Sequence, residues 1–126
     1  ASRYAGEIEA IQPDGPLVLG GNCQGGQVMR AVADKLVARG REIGLLILME
    51  QPHFLPYGGR VALVFGRESH VNPYASPGAD PEPLFRAAYP AGYEVGLIDG
   101  AHGQFFESPN IESLAAMIRR MLVNHR

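Results

Sequence analysis

Leu17-Val18-Leu19-Gly20-Gly21-Asn22-Cys23-Gln24-Gly25-Gly26 joins a short apolar run to a segment in which Val28, Met29, Val32, Leu36 and Val37 recur at helical spacing. The run reads as a strand, the segment as an amphipathic helix, and the residues around Cys23 as the tight turn between them. Gly21-Asn22-Cys23-Gln24-Gly25 has the G-x-nucleophile-x-G form, in the strand-to-helix setting that form requires. Small residues two before and two after the centre let strand and helix approach closely, which forces the central side chain out at the sheet edge. A helix that starts beside the sulfur turns its N-terminal dipole and free N–H groups toward developing negative charge, with the Gln24 N–H placed as an oxyanion donor. Most lone cysteines are small buried hydrophobes. The matched elbow favours a nucleophile here.

Upstream, Tyr4, Ile8 and Ile11 share one face of a helix over residues 2–12, and Pro13-Asp14-Gly15-Pro16 stops it. Downstream, Gly40 closes the elbow helix. Ile43 to Met49 is then an almost unbroken apolar run, as expected for a strand covered on both faces of a parallel sheet, and Glu50 stands at its end. Residues 52–59 read as a loop and Val61 to Phe65 as another buried strand. Gly66 opens a long loop in which Ser76 to Pro83 is a polar connector, and Leu84 to Tyr89 adds a short helix. Tyr93 to Ile98 is the last strand, with Asp99-Gly100-Ala101-His102-Gly103 as its turn. Ser108 and Pro109 are expected as the N-cap and first residue of a helix over 110–123, whose buried stripe is Ile111, Leu114, Ala115, Ile118 and Leu122. Strands alternating with helices imply a three-layer α/β fold, a single domain over residues 1–126 with about four parallel strands and flanking helices.

The bulk properties exclude some classes of function. The chain has 126 residues, 46% hydrophobic and 19% charged, with a formal net charge of −2. No Lys/Arg cluster exceeds Arg119-Arg120, so the electrostatic footprint of a nucleic-acid binder is missing. No apolar run approaches the ~20 residues needed to span a membrane. The opening Ala1-Ser2-Arg3-Tyr4 lacks the apolar stretch of a signal peptide, and a single cysteine cannot form an internal disulfide. A reducing, cytoplasmic setting is the expectation.

Of the four histidines, His102 alone sits in a Gly-rich turn between a strand and a helix, where a base can reach over the elbow. His53, His70 and His125 read as surface or loop residues, and no histidine has metal-ligand spacing, so no metal is expected. Two strand ends offer an orienting acid: Glu50, and Glu68 in Gly66-Arg67-Glu68-Ser69. Asp99, three residues before His102, reads as a turn former that bonds nearby backbone amides.

From Tyr4 onward, and most clearly over Ile11 to Gly26, the chain resembles the approach to the elbow in thioesterase domains that end nonribosomal peptide and polyketide synthases. Gly40-Arg41-Glu42 leading into Leu45 to Glu50 is similar to that family's next strand, with Glu50 in place of its usual Asp. His102-Gly103-Gln104-Phe105-Phe106-Glu107-Ser108-Pro109 is similar to its histidine loop. The resemblance ranks Glu50 ahead of Glu68 as the acid. Cys23 departs from the family's usual Ser, which alters reactivity more than reaction class.

That resemblance implies a Cys23-His102-Glu50 triad in a hydrolase or acyltransferase. Its substrates would be acyl or peptidyl thioesters borne on the phosphopantetheine arm of a carrier protein, and it would need no cofactor of its own. A full α/β-hydrolase has about eight strands over ~200–250 residues. The chain corresponds to the C-terminal half, with the lid and the second oxyanion donor outside it. An uncovered Leu17-to-Asn22 strand edge then calls for a homodimer or a complementing chain. The competing reading is an inactive thioesterase-like remnant that serves as a binding module.

Overall fold

The protein was analysed as a computed structural model, which describes residues 2–52, 54–102, 104 and 107–124. Expectations placed on Ala1, His53, Gly103, Phe105, Phe106 and His125 lie outside the described residues. In chain order the elements are α1 (Ser2–Ile11), β1 (Leu17–Asn22), α2 (Gln24–Ala38), β2 (Ile43–Met49), β3 (Val61–Gly66), α3 (Glu82–Ala88), β4 (Tyr93–Ile98) and α4 (Asn110–Asn124). The four strands form one parallel sheet in the order β1-β2-β3-β4.

Sequential strands that are also neighbours place their crossovers side by side. Leu17 and Leu19 of β1 face the same cluster as Val32, Ala33 and Leu36 of α2, with Phe85 and Tyr89 from the α3 region and Tyr57 from the β2–β3 connection. The opposite face carries Leu45, Ile47, Ala62 and Val64 against Leu114, Met117 and Met121 of α4. The chain is therefore three layers deep. β2 and β3 are apolar on both faces because both are covered; all six residues of β3 are buried. Among the described residues α4 covers the second face, and Val18 and Gly20 of β1 stay exposed there.

The expected apolar stripes are borne out in part: Ile8 of α1, Met29, Val32 and Leu36 of α2, and Ile111, Leu114, Ile118 and Leu122 of α4 lie in or against the core, with further positions buried more deeply. In α1 the buried position is Ala5, while Tyr4 is 52% and Ile11 83% exposed. This short helix lies against α2, tied by an Arg39–Glu9 ion pair at 3.0 Å, and alanine permits the close approach. In α2, Val32, Ala33 and Leu36 are buried and Val28 and Val37 exposed. In α4, Met117 and Met121 join Leu114 as the buried residues. Gly96 on β4 explains that last change: a Cβ there would run into the Met117 sulfur and reach 3.0 Å from the Met121 methyl, so the glycine leaves a groove that flexible thioethers fill. The α4 helix begins at Asn110, one residue after the expected Pro109. None of the helices among the described residues is long and apolar enough to cross a membrane.

The core gives the fold an alkaline limit. Burial raises the Tyr89 hydroxyl above its ordinary value of 10.0, an effect partly offset by Arg30, and burial followed by the Asp34 carboxylate raises Tyr57. The folded state then keeps protons that the unfolded chain sheds, so this contribution to stability is intact below pH 10 and is lost as pH rises through the folded values. The urea midpoint should fall steeply above pH 10, and Tyr89→Phe should reduce the fall. The Tyr89 hydroxyl is buried without a hydrogen-bond partner, so its removal should be close to neutral at pH 7. A midpoint equally flat in both proteins would contradict the assignment.

Candidate active site

Parallel strands in register bring their C-terminal ends to one edge, and the loops that leave this edge carry the chemistry in open α/β sheets. Asn22 is level with Met49, Met49 with Val64, and Gly66 with Ile98. Cys23, Glu50 and the turn holding His102 therefore leave the sheet on the same side.

At the first of these ends, Cys23 links β1 directly to α2 with φ 54° and ψ −118°. Its N–H donates to the Met49 carbonyl at 2.7 Å, and its own carbonyl accepts from the Gly26 N–H at 3.0 Å. The residue is partly exposed. A non-glycine residue at positive φ is held there by its surroundings at a cost of roughly 1–3 kcal/mol. Gly21 shows why this turn can form: a Cβ there would overlap the Gly25 carbonyl group and lie 2.6 Å from the Gly26 nitrogen. Gly26 is also constrained, because its missing Cβ leaves the space taken by the Gln51 side-chain amide oxygen. A Cβ at Gly25 would meet nothing within 4 Å. The tight positions are thus Gly21 and Gly26, and only the first belongs to the motif as read from the sequence. Gln24 opens α2, so its N–H belongs to the first helical turn, whose donors have no acceptor within the helix.

Glu50 is the other non-glycine residue at positive φ among those described, at 53°. It is fully buried. Its N–H donates to the Val64 carbonyl at 2.8 Å, and one carboxylate oxygen accepts a long 3.4 Å bond from the Gly66 N–H. The other oxygen lies 3.3 Å from Nδ1 of His102. Neither of these two atoms makes an aligned hydrogen bond. His102 is 32% exposed. The His70 ring meets it edge-on, centroids 5.0 Å apart.

The remaining acids have other partners. Glu68 accepts from the Gly100 N–H at 2.6 Å and does not face His102's Nδ1. Asp99, expected to bond nearby backbone amides, instead pairs with Arg67 at 3.1 Å on the surface. Its expected role falls to Glu68, which takes the Gly100 amide. Sequence reasoning also missed Gln51, buried against Gly26 with both amide atoms unpartnered, and the pair Gln104 and Asn110 that braces the histidine turn. An uncharged amide directly after a strand-end acid was the available signal for Gln51.

Fold and strand-end geometry define an α/β-hydrolase-like domain with a cysteine at the elbow. In comparison with known proteins, residues 1–59 match the thioesterase domain family. The chain is 46% identical over 52 residues to a non-reducing polyketide synthase of Aspergillus terreus, covering 41% of this chain. It is 40% identical over 58 residues to a dimodular nonribosomal peptide synthase of Bacillus subtilis, covering 44%. The match spans 2% of the length of each synthase.

Among solved structures, the thioesterase domain of NocB, in covalent complex with a fluorophosphonate nocardicin G analogue, superposes with a TM-score of 0.77 at 22% identity. That superposition covers 96% of this chain and 72% of that one. The thioesterase domain SrfTE, described for the cyclization of surfactin, superposes with a TM-score of 0.72 at 16% identity, over 95% and 73% respectively. At such identities the likeness speaks for the fold.

Proposed function

We propose that this chain carries the reacting groups of a thioesterase that takes acyl or peptidyl chains from a carrier-bound phosphopantetheine thiol. The observation that carries the reading is the strained Cys23 elbow opening onto the sheet edge where His102 meets the buried Glu50. Match of residues 1–59 to thioesterase domains, and the synthase context of the relatives, support the substrate class.

In this reading His102 removes the proton from the Cys23 thiol, and the sulfur attacks the thioester carbonyl. The oxyanion so formed lies against the Gln24 N–H at the start of α2. Collapse expels the pantetheine sulfur, which takes the proton back from His102 and leaves an acyl group on Cys23. Water, deprotonated by His102, or a nucleophile of the acyl chain itself then releases the product and restores the thiol. Glu50 keeps Nδ1 of the imidazole engaged so that the opposite nitrogen serves as base, and stabilises the imidazolium between the two transfers. Exchange of one thioester for another is close to balanced in energy, so a cysteine suits the first half of the cycle. Carrier protein is the partner this chemistry requires, and a second copy or a further chain would add at the unpaired edge of β1.

The test is capture of the acyl-enzyme. Incubation with short and medium acyl-pantetheine thioesters, acid quench and intact-mass analysis should give one acyl adduct, mapped by fragmentation to Cys23 and absent in Cys23→Ala. If no thioester acylates the folded protein, or if the adduct maps elsewhere, the reading is wrong.

A further inference from the structure

The segment after β3 is a preformed brace for the histidine turn. It is closed on itself: the Ser69 N–H donates to the Gly66 carbonyl at 3.1 Å and the Asn72 N–H to the Ser69 carbonyl at 3.1 Å. The Val71 N–H donates to Ser69 Oγ at 3.2 Å, and Asn72 Nδ2 to the Arg67 carbonyl at 3.1 Å. Ser69 is buried at the centre of this turn. Beside the Arg67–Asp99 ion pair and the His70–His102 ring contact, three hydrogen bonds to backbone groups reach across to the segment that carries His102. The Arg67 N–H donates to the Ile98 carbonyl at 2.7 Å and the Glu68 N–H to the Gly100 carbonyl at 3.2 Å. In return, the Gly100 N–H donates to the Glu68 carboxylate at 2.6 Å.

This reciprocal pair grips Gly100 from both its polar groups. Gly100 has φ 128°, a conformation that side-chain-bearing residues avoid, and a Cβ there would lie 2.8 Å from the Asn110 amide nitrogen. On the far side, Gln104 exchanges two bonds with Ala101, and Asn110 Nδ2 donates to the Gln104 carbonyl. His102 lies between these two clamps.

We propose that Glu68 is a positioning residue for the candidate base: by accepting from the Gly100 N–H it fixes the turn that sets His102 against Glu50. The inference rests on the reading of His102 as base. Glu68 acts through backbone, so an acceptor oxygen at this position matters and its charge is secondary. A bond from a backbone N–H to a carboxylate is stronger than one to a neutral oxygen, but an amide oxygen preserves its geometry.

Two measurements on the intact chain test this. Amide exchange at Gly100, read by NMR, should accelerate about tenfold in Glu68→Ala, the loss expected for one hydrogen bond, and less than about threefold in Glu68→Gln, with both variants folded by circular dichroism. Maximal acylation rate of Cys23 by an acyl-pantetheine thioester should fall about 10- to 100-fold in Glu68→Ala at unchanged half-saturating concentration, and recover in Glu68→Gln. Unaltered Gly100 exchange in Glu68→Ala would overturn the proposal, as would a normal acylation rate in that variant. A Glu68→Gln variant as slow as Glu68→Ala would overturn it too, because the charge would then be what counts. If the unmodified protein takes no acyl group, the proposed function fails instead, and Gly100 exchange decides the clamp by itself.

Discussion

Replacing His102 with alanine is expected to slow acyl transfer from an acyl-pantetheine thioester by about 10⁴-fold or more, with the fold retained. Two losses combine in this variant. In the proposed mechanism the thiol loses the group that accepts its proton, and the departing sulfur loses the group that returns it. Glu50→Gln should cost nearly as much, about 10⁴-fold, because a neutral amide neither favours the required tautomer nor stabilises the imidazolium. The two changes should be far from additive, since each disables the same unit. Stability should respond differently. His102 is 32% exposed, and its removal opens Glu50 to water, whereas Glu50 is fully enclosed and its replacement stays inside the protein. Single-turnover rates of His102→Ala, Glu50→Gln and the double variant, each normalised to folded protein by circular dichroism, check this. A loss below tenfold in His102→Ala would remove His102 from the mechanism.

The sheet was legible in the sequence because buried parallel strands leave continuous apolar runs. Leu17 to Asn22, Ile43 to Met49 and Tyr93 to Ile98 are strands with the boundaries read from the residues, and Val61 to Phe65 gains only Gly66. Helix faces were harder to read. The buried side of a helix is set by what it meets: Ala5 outcompetes Tyr4 and Ile11 because α1 lies close on α2, and Met117 displaces Ala115 because Gly96 opens a groove in β4. Neither neighbour is visible in local periodicity.

The candidate site divides the same way. Cys23 and His102 announced themselves by Gly-rich turns at strand ends, and Glu50 by its place at the end of β2. Which carboxylate lies against His102 is a fact that no spacing carries: Glu50 sits 3.3 Å from Nδ1, while Glu68 accepts from the Gly100 amide. Asp99 was misread for that reason: a turn Asp bonds its own backbone only when no better acceptor arrives from another strand, and here Glu68 arrives.

The elbow itself makes a prediction about folding that does not depend on catalysis. Gly21→Ala should destabilise the protein by about 2 to 4 kcal/mol, toward the upper end for an overpacked site because the atoms in the way are backbone. The Cβ would enter the Gly25 carbonyl group and the Gly26 nitrogen, which belong to the first turn of α2 and cannot rotate aside as a side chain would. To make room, α2 must lift from β1 or Cys23 must leave its φ of 54°, and either movement disturbs the Leu19–Val32–Leu36 packing beneath. Gly25→Ala provides the contrast. Its Cβ would meet nothing within 4 Å and the residue lies in the first turn of α2, so alanine should be tolerated and stabilise by at most about 1 kcal/mol. The two glycines flank the same cysteine at equal distance in sequence, yet one should be indispensable and the other improvable. Urea denaturation of both variants, with iodoacetamide labelling of Cys23 as a local probe, measures this directly. Equal tolerance at the two positions would mean that strand and helix are not in contact at Gly21, and that the strain assigned to Cys23 has no source.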